Sequence, residues 1–159
     1  MAEKHSWQEI VASSLNWKQA HHNLDQALDG LKPEERGRLA DGHPHSVWDL
    51  VEHIRIAQDD LMDFLTNPGY THDLAWPADY WPRSHSPTDD EWKASLAAIA
   101  RDREKVERFI TSGRVDLAAV IPNSDGKTYL RTALVIMDHT SYHVGQIVDV
   151  RRLTGSWRE

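Results

Sequence analysis

His139 and His143 stand four residues apart in the run Asp138-His139-Thr140-Ser141-Tyr142-His143-Val144-Gly145-Gln146. On a helix that spacing turns both imidazoles to one face, one turn apart, which is metal-ligand geometry. Chance alone supplies such pairs in a chain with ten histidines, so the rest of the sequence must decide. A third histidine, His53, falls on a seam with Leu50, Ala57, Leu61 and Phe64 at helical spacing, away from the charged face of Glu52, Asp59, Asp60 and Asp63. His53 by itself would read as a hydrogen-bonded core residue. Three neutral imidazoles converging from two helices, however, would satisfy a divalent metal at three positions and leave one or more open for water or substrate.

Other chemistries are excluded by pattern. No histidine has Glu three residues before it, so the di-iron carboxylate arrangement is missing. There is no His-Glu-x-x-His either, and Thr140-Ser141-Tyr142 occupies the space between the paired histidines. The chain has no cysteine, hence no disulfide, no Cys-based zinc site and no nucleophilic thiol of its own. The remaining histidines lack convergent partners. His21 and His22 read as flank or surface residues of a first helix, His43-Pro44-His45 as a loop, and His72 and His85 as solvent-facing.

Four helices must position these side chains. The first is expected from about Trp7 to Asp29, opened by the capping box Ser6/Glu9 and stopped at Gly30, with a stripe of Ile10, Val11, Trp17, Ala20, Leu24, Ala27, Leu28 and Leu31. A second runs from Ser46, with Asp49 three residues on, to about Thr66 before Asn67-Pro68-Gly69. Asp49 could orient an imidazole as well as cap. A third opens on Thr88-Asp89-Asp90-Glu91 and ends at Gly113; its buried stripe is Trp92, Leu96, Ile99, Val106, Phe109 and Ile110, and Arg101 to Arg108 supply a solvated charged face. The fourth spans about Thr128 to Leu153 and places Thr132, Ile136, His139, His143, Gln146, Val150 and Leu153 on one seam.

Between the second and third helices, residues 68–87 hold four of the seven prolines together with Tyr70, Trp76, Tyr80 and Trp81. Loops of this length inside a compact domain are uncommon and tend to be disordered or functional. The aromatic content points to a packed crossover that could also wall a pocket. Residues 114–127 contain strong turn chemistry and at most one weak hairpin. The whole is an all-α, four-helix bundle with a long crossover between its second and third helices, expected as a single domain over residues 1–159.

Composition narrows the partners. A net charge of -7, with no basic cluster longer than Arg151-Arg152, argues against a nucleic-acid or anionic-membrane partner. The first residues lack the apolar region of a signal peptide, and the longest apolar run, Ala133 to Met137, is too short to span a bilayer, so a cytoplasmic location is expected.

Three stretches carry a family resemblance: Trp48-Asp49-Leu50-Val51-Glu52-His53, the run His139-x-x-Tyr142-His143-x-Gly145-Gln146, and the ending Val150-Arg151-Arg152-Leu153-Thr154-Gly155-Ser156-Trp157. Together they resemble the DinB-like superfamily of metal-binding four-helix bundles. The resemblance implies a three-histidine site for nickel, zinc or another divalent ion, often in a homodimer, and His53, His139 and His143 match those ligands one for one. It also implies enzymes that use the metal to activate a low-molecular-weight thiol, bacillithiol or mycothiol, for transfer or isomerisation. The leading expectation is therefore a metal-dependent thiol transferase or related detoxifying enzyme acting on a small molecule, with Gln146 and Tyr142 as candidate substrate-contacting or supporting groups. The alternatives are a hydrolase using metal-bound water and a non-catalytic protein whose ion holds the bundle together.

Overall fold

In the computed structural model, residues 5–158 are described. Four of the five α-helices among these residues begin with a reciprocal capping box, in which the cap side chain accepts from the third backbone amide and the third side chain accepts from the cap amide. Ser6/Glu9 opens α1 (Trp7–Ser14), Asn23/Gln26 opens α2 (Leu24–Leu28), Ser46/Asp49 opens α3 (Val47–Thr66) and Thr88/Glu91 opens α4 (Asp89–Thr111). Thr128 caps α5 (Tyr129–Leu153) through the amide of Arg131. Among the described residues there is no strand, and the only pairing at 114–128 is an isolated antiparallel bridge between Val120 and Thr128. Among the same residues no helix is long and apolar enough to cross a membrane.

The chain is an all-α bundle of the expected kind. α3 lies between α4 and α5, while α1 packs on α4 and α5 and α2 on α5. The first expected helix is nevertheless broken. After Ser14 the chain leaves the helix and re-enters it only at Leu24, so α1 and α2 share one side of the bundle, and His21 and His22 fall in the connection. The cause is local side-chain competition for backbone groups. Ser13 and Ser14 bond back to the carbonyls of Ile10 and Val11, Trp17 donates its indole N–H to Ser13, and Asn23 both caps α2 and donates to Asn16. Ile10, Trp17 and Ala20 are consequently exposed rather than part of a continuous stripe.

Two other side chains depart from the sequence pattern. Leu153, placed on the buried seam of the last helix, is exposed near the helix end. Asp102, placed on the solvated face of α4, is buried and accepts from Arg101 and Lys105.

The crossover runs back along α3 and is pinned to it at both ends. Asp60 accepts from the hydroxyls of Tyr70 (2.8 Å) and Tyr80 (2.6 Å). Near the start of α3, Trp48 donates to the carbonyl of Ser84, and His85 Nδ1 lies 2.7 Å from Asp49. Asp49, His53 and Asp60 thus mark one face of α3, at spacings of four and seven residues, that the crossover covers.

Candidate metal centre

His53 comes from the second turn of α3, and His139 and His143 come from successive turns of α5. His53 Nε2 and His143 Nε2 each lie 3.1 Å from His139 Nε2. The three imidazoles offer ligand atoms that all fall within 4.8 Å of one another. Two nitrogens bound to one tetrahedral ion at about 2.05 Å are separated by roughly 3.3 Å. The observed spacing is close to that, without rearrangement of either helix.

Hydrogen bonds on the far side of two rings fix which nitrogen points inward. His53 Nδ1 is 2.8 Å from the carbonyl oxygen of Tyr80, which can only accept, so Nδ1 carries the proton and Nε2 presents its lone pair. His143 Nδ1 is 2.6 Å from Gln146 Oε1, an amide oxygen that likewise accepts. In the neutral state His139 Nε2 carries at most one proton, so it can donate to only one of its two neighbours. At least one lone pair then faces another, an arrangement that a cation relieves. The donor set therefore fits a divalent metal, and neutral imidazoles are the form that binds one.

Burial keeps them neutral. It lowers the pKa of His53, opposed by the bond to Tyr80. His139 falls to about 4, through burial first and then the neighbouring His143 and His53. His143 also falls to about 4, chiefly from burial, with the bond to Gln146 opposing. His53 and His143 are only 2% and 6% exposed, whereas His139 is half-buried and marks the accessible side.

Aromatic rings wall the centre. Trp81 stacks on His53 at 4.1 Å between centroids and meets His143 edge to face, while His45 stacks on Trp81 at 3.7 Å. Tyr142 is exposed, with its ring 5.0 Å from that of His143. Of the residues singled out from sequence, Gln146 orients a candidate ligand and Tyr142 borders the site. Asp49 caps α3 and pairs with His85 rather than with one of the three imidazoles. His72 and His85 are exposed as expected, though His85 is anchored and His72 Nδ1 lies 3.0 Å from the Tyr70 hydroxyl. Sequence reasoning missed Tyr80, Trp81 and His45 as parts of the centre. The aromatic richness of the crossover was the one available signal.

A helical bundle that gathers three imidazoles from two of its helices defines the class: a bundle whose histidine triad could hold a metal ion. The DinB superfamily profile matches residues 16–147, and the chain belongs to that superfamily. No curated protein and no solved structure matches it.

Proposed function

We propose that the chain binds one divalent ion, nickel or zinc, through His53, His139 and His143 and uses it in transfer of a low-molecular-weight thiol to an electrophile. The observation that supports this most is the donor set, which consists of three imidazoles with no carboxylate or further imidazole joining the group among the described residues. Such a set is the pattern of open sites, whereas structural zinc sites are closed by four protein ligands. A bound divalent ion with an open position lowers the pKa of a thiol or water at that position. The chain has no cysteine, so the thiol would be a cosubstrate. In the transfer, the thiol sulfur bonds to the electrophilic carbon as the bond to the leaving group breaks, and the thiol proton passes to solvent.

The chain's own residues have distinct parts in this reading. Tyr80 and Gln146 hold two imidazoles in register from outside. Trp81 excludes water from the face of His53. Tyr142, exposed beside His143, is placed to touch a substrate entering from the side of His139. The deep burial of His53 and His143 favours a second reading, in which the ion is structural and joins α3 to α5.

One assay separates these readings. Metal-replete protein, purified without a histidine tag, is offered a panel of electrophiles with bacillithiol, mycothiol, glutathione or water as acceptor. Thiol-dependent turnover that disappears in His143→Ala is expected. Turnover in water alone would move the reaction to hydrolysis. Absence of turnover, with a large loss of thermal stability on chelation, would leave the structural reading. We also propose pairing with a second copy, supported by the exposed Leu134 and the shallow apolar surface around it on α5; sedimentation velocity at twice the chain mass is the expected result.

A further inference from the structure

Tyr80 meets α3 at two points. Its hydroxyl donates to Asp60 Oδ2 at 2.6 Å, and its carbonyl oxygen accepts from His53 Nδ1 at 2.8 Å. His53 and Asp60 are seven positions apart in α3, roughly 10 Å along the helix axis. Tyr80 is 7% exposed, so it lies along α3 as a buried strut spanning two turns. The other hydrogen bonds of residues 75–81 among the described residues are local: Ala75 and Asp79 bond to each other, and the Tyr80 amide donates to the Pro77 carbonyl. This part of the crossover is therefore tied to α3 by hydrogen bonds through Tyr80, and Trp81, the next residue, adds its ring stacked over His53.

Asp60 is the fixed end of the strut. Each of its oxygens takes one hydroxyl, Oδ1 from Tyr70 at 2.8 Å and Oδ2 from Tyr80. At 2.6 Å the Tyr80 bond has the length of a charge-assisted O–H···O⁻ pair, about twice as strong as a neutral one. Burial first, and then the bond to Asp60, holds both phenols above their ordinary pKa, so each remains a donor. The other end of the strut fixes a tautomer. With the Tyr80 carbonyl in place, His53 keeps its ring proton on Nδ1. With that carbonyl displaced, the proton gains a competing acceptor on the inward side, because His139 Nε2 lies 3.1 Å from His53 Nε2. A proton on Nε2 occupies the lone pair that a metal ion needs.

We infer that Asp60 is a positioning residue for the metal centre: through the Tyr80 strut it holds the carbonyl that keeps the His53 lone pair turned inward. The effect on metal affinity rests on the proposed three-histidine site, whereas the tautomer belongs to the metal-free chain as well.

Tyr70→Phe and Tyr80→Phe each remove one hydroxyl from the same carboxylate, yet only the second cuts the strut. Long-range ¹H–¹⁵N correlations of the metal-free protein report the His53 tautomer, and His53→Gln assigns the signals. Nickel affinity is read by competition with a chromophoric chelator. Tyr80→Phe and Asp60→Ala are expected to move the His53 signals toward the Nε2–H form and to weaken nickel binding about tenfold, the lower end of the cost of losing a ligand's outer partner. Tyr70→Phe is expected to change neither. An unaltered His53 tautomer in Tyr80→Phe would overturn the role assigned to Asp60, as would an equal shift in Tyr70→Phe, the mark of a general loosening of the crossover. Helical circular dichroism checks the folding of each variant, and Tyr80→Phe decides the matter if Asp60→Ala does not fold. Native protein that binds no nickel or zinc would remove the metal reading, while the tautomer comparison would still decide what Asp60 does.

Discussion

Gln146 determines which nitrogen His143 turns toward its neighbours, because its amide oxygen at 2.6 Å demands the proton on Nδ1. Replacing it with Leu removes that demand and leaves the buried ring free to invert its tautomer. Metal affinity is expected to fall by about 10- to 100-fold, the usual effect of deleting the outer partner of a ligating histidine, as read by competition with a chromophoric chelator. His143→Ala should abolish binding with helix content retained. The same burial has a consequence for pH. With His139 and His143 at about 4 when folded and ordinary imidazoles near 6.5 when unfolded, the unfolded chain binds more protons between those values. Stability of the metal-free protein should therefore be at full strength above about pH 6.5 and decline as pH falls toward 4; urea midpoints across that range check the sign. The three imidazoles stood out as histidines on apolar seams, and the family resemblance joined them as one candidate ligand set. Their outer partners were legible only where helical spacing links them, as Gln146 is linked to His143. Tyr80 is 27 residues from His53 and acts through its backbone, which every residue type possesses.

At the scale of elements, the Asn23/Gln26 box that opens α2 was overlooked, while the starts of α1, α3, α4 and α5 were readable because a cap is a short-range arrangement of side chains and their own backbone. The break after Ser14 was not, since the apolar spacing of a helix continues across it while Asn16, Asn23 and two serines satisfy the backbone differently. The path of the crossover was equally hidden, because its anchors are individual contacts with α3 and with the segment before it. Gly37 is one of these anchors. A Cβ there would overlap the carbonyl oxygen of His85, whose backbone cannot retreat while the imidazole pairs with Asp49 and the Ser84 carbonyl with Trp48. Gly37→Ala is expected to destabilise the fold by about 1–3 kcal/mol, the typical cost of overpacking, as a lower urea midpoint with an unchanged slope. A shift within experimental scatter would show that the crossover yields at this point.

For the molecule as a whole, Arg151 closes the chain on itself. It is 1% exposed, donates to the carbonyls of Ala27 (2.6 Å) and Ser156 (2.8 Å), and lies 5.1 Å from the centroid of the Trp157 ring. No carboxylate forms an ion pair with it among the described residues. The end of α5, the final residues and α2 are thereby held at one place, 124 positions apart in sequence for the first of those bonds. In the sequence Arg151 and Arg152 look alike, and only packing distinguishes them: Arg152 has a side chain 60% exposed. Arg151→Ala leaves two buried carbonyls unpaired and should cost about 2–4 kcal/mol, since each such loss is worth roughly 1–3. Arg151→Lys should recover little, because a single ammonium lacks the planar fork that reaches both acceptors. Arg152→Ala is expected to stay within about 0.5 kcal/mol of the parent. Chemical denaturation of the three variants tests the asymmetry directly. Equal effects at 151 and 152 would mean that the terminal residues contribute through general packing rather than through this one guanidinium.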